Sequence, residues 1–140
     1  MCEGIDLLAD IGTNGEMLLH ANGKLYATST AAGPCFEGAN IECGTGGVAG
    51  AIDSVTERDG KISYTVIGGG KASGICGAGL VDAVALMVKR GVIDETGAFT
   101  GEAQKFYITD DVYVSQADVR NFQLAKSAVC AGIRVLLSRA

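Results

Sequence analysis

Gly4-Ile5-Asp6-Leu7-Leu8-Ala9-Asp10-Ile11-Gly12-Thr13-Asn14-Gly15-Glu16-Met17-Leu18-Leu19-His20 contains two apolar runs separated by Gly12 to Glu16. The pattern predicts strand, tight turn, strand. Asn14-Gly15 predicts a type I′ hairpin, because both residues tolerate the positive φ that such a turn demands. A second turn at Asn22-Gly23 leads into Lys24-Leu25-Tyr26-Ala27-Thr28-Ser29-Thr30, whose β-branched and aromatic content predicts a third strand. The chain is therefore expected to open with a three-strand meander.

Outward from the meander, residues 31–50 are rich in small residues and predict loop with short helical turns. Residues 51–56 and 62–67 flank Arg58-Asp59-Gly60-Lys61 and predict a second hairpin. Apolar residues at 80, 81, 84, 85, 88 and 92 share one helical face, so a helix is expected over Gly79 to Lys89, stopped by Gly91. The polar stretch 94–105 predicts a surface excursion, followed by a short strand near Val112 to Val114. Ser115-Gln116-Ala117-Asp118 resembles a capping box and opens a long helix expected to reach about Ser138. Two such helices on one small sheet imply an α/β layered domain.

Composition narrows the function classes. A chain of 140 residues is one domain with room for a core, and its 48% hydrophobic content, 19% charged content and single Pro exclude a disordered chain or a Pro-rich linker. Its 21 glycines carry no collagen period and must mark turns, close backbone approaches or ligand loops. A net charge of −5 without a basic cluster argues against nucleic acid as a partner. Neither a membrane span nor a signal segment is visible, which points to a soluble, cytoplasmic protein with no membrane partner. The five cysteines form no Cys-x-x-Cys pair and the only histidine is His20, which argues against zinc and iron–sulfur sites and for buried, reduced thiols.

Two Gly-rich turns carry the candidate chemistry. In Asp10 to Glu16, Gly12 and Gly15 let backbone N–H groups approach phosphate oxygens, and Thr13 and Asn14 add side-chain donors. Asp10 could hold Mg²⁺ through water, and Glu16 could orient a water or the shell of that metal. The same residues also fit an ordinary Asn-Gly hairpin in which Asp10 caps the turn, and the residues alone leave both readings open. In the second turn, Gly74-Ile75-Cys76-Gly77-Ala78-Gly79 precedes the expected first helix, an arrangement suited to an anion or to a close helix–sheet contact. It matches neither the dinucleotide-binding pattern nor a Walker A loop. Glu37, in Phe36-Glu37-Gly38, is a candidate to support the site from behind, although loop acids are commonly just solvated. His20 reads as an exposed turn neighbour and Cys76 as a packing residue. Tyr26, Tyr64, Tyr107 and Tyr113 are scattered as on sheet surfaces.

Four segments in order carry a resemblance: Asp10 to Glu16; Ala27-Thr28-Ser29-Thr30-Ala31-Ala32-Gly33-Pro34-Cys35-Phe36-Glu37-Gly38-Ala39; Gly74-Ile75-Cys76-Gly77-Ala78-Gly79-Leu80-Val81-Asp82-Ala83-Val84; and Gln123-Leu124-Ala125-Lys126-Ser127-Ala128 with Ala131-Gly132-Ile133. Together they resemble the C-terminal ATPase region of the reductive activators of corrinoid proteins, over nearly the whole chain. The resemblance implies a ribonuclease-H-like α/β half-domain of the ASKHA superfamily (acetate and sugar kinases, Hsp70, actin), with a mixed sheet, antiparallel hairpins and two main helices. It implies ATP and Mg²⁺ as cofactors, a corrinoid protein of a methyltransferase system as partner, and return of Co(II) corrinoid to Co(I). Residues 1–140 would be one subdomain of a longer multidomain protein, whose iron–sulfur cluster would sit in a ferredoxin-like domain outside this chain; the isolated segment is expected to be inactive. Carried over, Asp10 and Glu16 would be the catalytic carboxylates, with Asp10 near the metal. Gly12, Thr13, Asn14 and Gly15 would bind phosphate, and Gly74, Gly77 and Gly79 would form a second turn facing the cleft. The alternative use is a non-catalytic module for docking or for homodimer formation.

Overall fold

A computed structural model describes residues 6–140, so the expected strand start at Gly4 and Ile5, and Cys2, lie outside the described residues. Strands β1 (Asp6–Ile11), β2 (Gly15–Ala21) and β3 (Lys24–Thr30) form the antiparallel meander in the order β1-β2-β3. Period-2 alternation is clearest in β2, where Gly15, Met17, Leu19 and Ala21 are buried and Glu16, Leu18 and His20 are exposed. The turn between β2 and β3 has Asn22 at φ 51° and Gly23 at φ 69°, which is type I′ chemistry.

The first hairpin differs from expectation. Its loop has three residues, Gly12-Thr13-Asn14, and Gly15 already belongs to β2, paired with Ile11 on one side and Thr30 on the other. Neither Asn14 nor Gly15 has positive φ. Gly15 serves a close approach instead, because an added Cβ would lie 2.7 Å from Thr30 Oγ1. Lateral packing, invisible in a dipeptide, thus overrides the local turn signal.

Strands β4 (Ala51–Arg58) and β5 (Lys61–Val66) form the second hairpin, turning through Asp59 at φ 51° and Gly60 at φ 75°. The two-residue strand β6 (Gly74–Ile75) runs parallel to β4, making a mixed sheet in the order β5-β4-β6. Helix α1 (Gly77–Lys89) starts two residues earlier than the apolar spacing suggests, because the run of small residues before Leu80 carries no periodic signal. Helix α2 (Gln116–Leu137) opens with a full capping box between Ser115 and Asp118. Before it, β7 (Lys105–Tyr107) and β8 (Tyr113–Ser115) pair antiparallel. At three residues, β7 is too short to show alternation, and so it reads as the end of a polar excursion.

The helices pack mainly on different sheets, and both also touch β8. Helix α1 packs on β4, whereas α2 packs on β2 and β3. Two cores result. The larger joins Ile52, Val55, Ile75, Leu80, Met87 and the surroundings of β7 and β8, and it takes Val119 and Ala125 from the first half of α2. The smaller joins Met17, Leu19 and Ala21 to Leu136, with Val129 and Ile133 alongside. At 22 residues, α2 is about 33 Å long, enough to span both cores.

Glu57 ties the end of α1 to β4. Lys89 Nζ donates to its Oε2 at 3.0 Å and Arg90 Nε to its Oε1 at 2.9 Å. Hydrogen bonds from Lys89 and then Arg90 hold the Glu57 carboxyl below its ordinary range. A carboxyl depressed in the folded state adds stability above its unfolded value, and that stability is lost as pH falls through the folded one. Acidification below about pH 4 should therefore lower the melting temperature of the wild-type chain by more than that of Glu57→Gln. Thermal melts across that range check it.

Candidate functional site

The meander places Asp10 and Glu16 directly opposite each other across β1 and β2. Residues in register on antiparallel strands share a face, so two exposed carboxylates stand side by side, roughly 5 Å apart at Cβ. Like charges so placed repel, and a divalent cation between or beside them removes the repulsion. They border an open groove of about 360 Å³ lined by Leu8, Asp10, Glu16, Met17, Leu18, Ala27 and Thr28. Two carboxylates on an exposed sheet face suit Mg²⁺, which keeps several waters and takes one or two protein oxygens. Among the described residues no group of three His, Cys, Asp or Glu side chains is placed to hold a metal ion.

The loop beyond this pair is strapped down at two points. Gly33 N–H donates to the Thr13 carbonyl at 3.0 Å. Thr13 N–H donates to Glu37 Oε1 at 3.2 Å, and the Thr13 hydroxyl donates to Glu37 Oε2. A Cβ added to Gly12 would lie 3.5 Å from the same Oε1, so the carboxylate rests over the open α-carbon of the loop. Through one threonine and one glycine the loop already holds an anionic group.

Glu37 ends a 3-10 turn, Pro34–Glu37, which packs against both helices. The carbonyl of the preceding Phe36 abuts the start of α1, where a Cβ on Gly77 would sit 1.9 Å from Phe36 O. One short turn thus links the hairpin loop to the first turn of α1. Cys76 is the N-cap of α1; its N–H donates to Ile52 O at 3.0 Å and no side chain caps the helix.

The two groups of glycines sit in different surroundings. Asp10, Thr13, Asn14 and Glu16 are exposed at one end of the meander, with Gly12 half-buried and Gly15 buried beneath them. Gly74, Gly77 and Gly79 are buried, and an added Cβ would meet Cys43 O at 2.9 Å, Phe36 O at 1.9 Å and Ile52 O at 2.3 Å respectively. Close backbone packing alone is sufficient to require Gly at 77 and 79. Gly38 and Gly44 belong to the same packing, since a Cβ on Gly44 would meet Gly38 O.

The remaining candidates fall elsewhere. His20 is exposed in β2, opposite Asp6 and at the other end of the hairpin from Glu16, with Nδ1 3.9 Å from Asp6 Oδ2. Cys35 and Cys76 are buried as expected; burial, and secondarily Asp118, pushes the Cys35 thiol up. Cys43 is only partly buried and Cys130 is exposed on α2, so the expectation of uniformly buried thiols fails there. Cys43 packs against the rim of the larger core, whereas Cys130 lies on the solvent side of α2. Tyr107 and Tyr113 are not scattered but paired, with ring centroids 5.3 Å apart, because β7 and β8 set them opposite each other. Tyr113 OH donates to Glu42 at 2.8 Å, and this bond is the main cause holding the Glu42 carboxyl below its ordinary range. Glu42 lies in a loop without periodicity and gives no sequence signal. No helix among the described residues is long and apolar enough to cross a membrane.

Comparison with known proteins places this geometry in a family. Residues 4–140 match the family described as the C-terminal domain of RACo, the ASKHA domain. The corrinoid activation enzyme RamQ of Eubacterium limosum is 36% identical over 93% of this chain and 26% of its own length. The [Co(II) methylated amine-specific corrinoid protein] reductase of Methanosarcina barkeri is 28% identical over 94% of this chain and 28% of its own length. Among solved structures, a reductive activator for corrinoid, iron–sulfur protein superposes with a TM-score of 0.84 at 32% identity, over 99% of this chain and 25% of that one. The chain thus spans about a quarter of the length of these relatives, and it belongs to the family of the RACo C-terminal ASKHA domain.

Proposed function

We propose that this chain is the nucleotide-binding part of an ATP-dependent reductive activator that returns Co(II) corrinoid proteins to Co(I), with a ribonuclease-H-like half-domain as its frame. The observation that carries the reading is the Gly12-Thr13-Asn14 loop, which holds an anionic group through Thr13 beside a cross-strand pair of carboxylates. In this reading Asp10 takes Mg²⁺ through water, and Glu16 orients that hydration shell. Gly12, Thr13 and Asn14 form the phosphate loop, and Gly15, just beyond it in β2, keeps the strand close to Thr30 beneath the loop. Gly77 lets α1 approach the 3-10 turn that carries Glu37, Gly79 lets the same helix approach Ile52 of β4, and Gly74 lets β6 lie against Cys43 and Thr45. Bound MgATP would supply the charge and the contacts that bias the longer protein toward its corrinoid partner. The reducing electron would come from the iron–sulfur domain of that protein.

Isothermal titration with MgATP and a non-hydrolysable analogue tests it. Heat is expected with either nucleotide when Mg²⁺ is present, and absence of heat for both overturns nucleotide binding by this chain. Asp10→Asn should weaken MgATP about tenfold, equivalent to roughly 1.4 kcal/mol, while changing metal-free ATP far less.

A second reading, a docking or dimerisation module, draws on one observation. The meander face turned away from α2 exposes Leu8 at 64%, Leu18 at 39% and Leu25 at 68%. Light scattering, together with pull-down by a corrinoid protein, separates it from the first. A dimer or a corrinoid complex formed without nucleotide, alongside silent titrations, favours the module.

A further inference from the structure

Thr13 has one backbone N–H and one hydroxyl proton to donate, and both are given to Glu37. A phosphate that reaches this loop must therefore either do without Thr13 or displace the carboxylate. The geometry favours displacement. The two Glu37 oxygens take the two Thr13 donors separately, as two oxygens of a phosphate would, and the group rests over the bare α-carbon of Gly12. Glu37 is exposed, at the end of a short turn, so its side chain can swing into water without opening the core. Asp10 and Glu16 stand at the base of the same hairpin, and adding a phosphate while Glu37 remained would crowd further negative charge onto one small loop.

We propose that Glu37 is a positioning residue whose carboxylate holds the phosphate place on the Gly12-Thr13-Asn14 loop and leaves it when a nucleotide phosphate binds. This rests on the nucleotide reading above and adds a competitor within the chain itself. Glu37 keeps the loop in its binding shape while empty, and the cost of removing it lowers the affinity.

The test compares the wild-type chain with Glu37→Gln, Glu37→Ala, and Glu37→Ala combined with Thr13→Ala. MgATP and MgADP are the titrants, and the Thr13 amide resonance is followed by NMR. Without the competing charge, Glu37→Gln and Glu37→Ala should bind about fivefold more tightly, the scale of an exposed charged contact. In the nucleotide-free wild-type chain, the Thr13 amide should resonate where a carboxylate acceptor puts it, shifting on mutation of Glu37 and on nucleotide addition. Thr13→Ala in the Glu37→Ala background should abolish the gain in affinity. Equal or weaker binding by both Glu37 variants, a gain that survives Thr13→Ala, or a Thr13 amide unmoved by saturating nucleotide overturns the proposal while leaving nucleotide binding in place. If neither the wild-type chain nor any variant binds either nucleotide, the nucleotide reading falls first and the competitor falls with it. Circular dichroism shows whether each variant is folded; Glu37 and Thr13 are both exposed, so folding should be retained.

Discussion

Gly77→Ala should destabilise the chain by about 3 kcal/mol or more, the upper end of overpacking costs, although the substitution lies in the first turn of an α-helix. Helix propensity alone points the other way, favouring Ala over Gly by about 1 kcal/mol in a helix interior. The difference in sign comes from a contact distant in sequence: the new Cβ would sit 1.9 Å from the Phe36 carbonyl, a backbone atom in a turn wedged between both helices. Either α1 or the 3-10 turn must move. Movement of the turn also displaces Glu37 from Thr13, so the variant should lose order at the hairpin loop as well as stability. Urea unfolding gives the first quantity and the Thr13 amide the second. Gly101→Ala is the control: no atom lies within 4 Å of its added Cβ and the residue is exposed. It should be neutral or slightly stabilising. If Gly77→Ala matches Gly101→Ala in unfolding free energy, the close approach of Phe36 is wrong.

Asp118→Ala should be comparably severe, at about 3 kcal/mol, by a different route. Its side chain accepts from Ser115 N–H at 2.8 Å, from Ser115 Oγ at 2.9 Å and from Glu42 N–H at 2.9 Å. Asp118 is only 1% exposed. Truncation removes half of the capping box and leaves several donors without an acceptor in a place water scarcely reaches. The Glu42 bond also pins the loop ahead of Cys43 to the start of α2, so the damage should spread from the helix end into the larger core. Ser115→Ala removes the cap but keeps the acid, and should cost about 1 kcal/mol. Denaturant midpoints of the two variants measured together decide the matter. Equal losses would show that the capping hydroxyl carries the whole effect and that the link to Glu42 contributes nothing.

Much of this architecture is legible along the chain, and the misses share one cause. The apolar alternation of Met17, Leu19 and Ala21 and the apolar spacing of residues 80–88 are local patterns, and strand and helix form where they run; the face of α1 that packs is nevertheless Leu80, Ala83, Val84, Leu86 and Met87, while Val81 and Val88 of the expected face are exposed. Asn22-Gly23 and Asp59-Gly60 turn as their dipeptides suggest. Asn14-Gly15 does not, because Gly15 lies where β2 meets Thr30 and the side chains of Met17 and Val129. The assignment of α1 and α2 to separate sheets is equally hidden, since an amphipathic face shows that a helix is buried but not against which partner. At the candidate site, the carboxylates and glycines of residues 10–16 can be picked out from their types and spacing. The contact of Glu37 with Thr13 joins residues 24 positions apart through a loop with no periodicity.

The three-strand meander, the second hairpin, both helices, the phosphate-loop candidate and the resemblance to corrinoid activators are legible in the chain, because each rests on short-range spacing or on residue types in a fixed order; the short strands β6 and β7 are not. What surrounds each glycine is visible only in the folded chain. Gly12 lies open beneath a carboxylate, while Gly77 and Gly79 are pressed against the Phe36 and Ile52 carbonyls. Glycine's missing Cβ serves a ligand, a turn or a packed backbone equally well. Which of these fills the space depends on chain segments that only folding brings together.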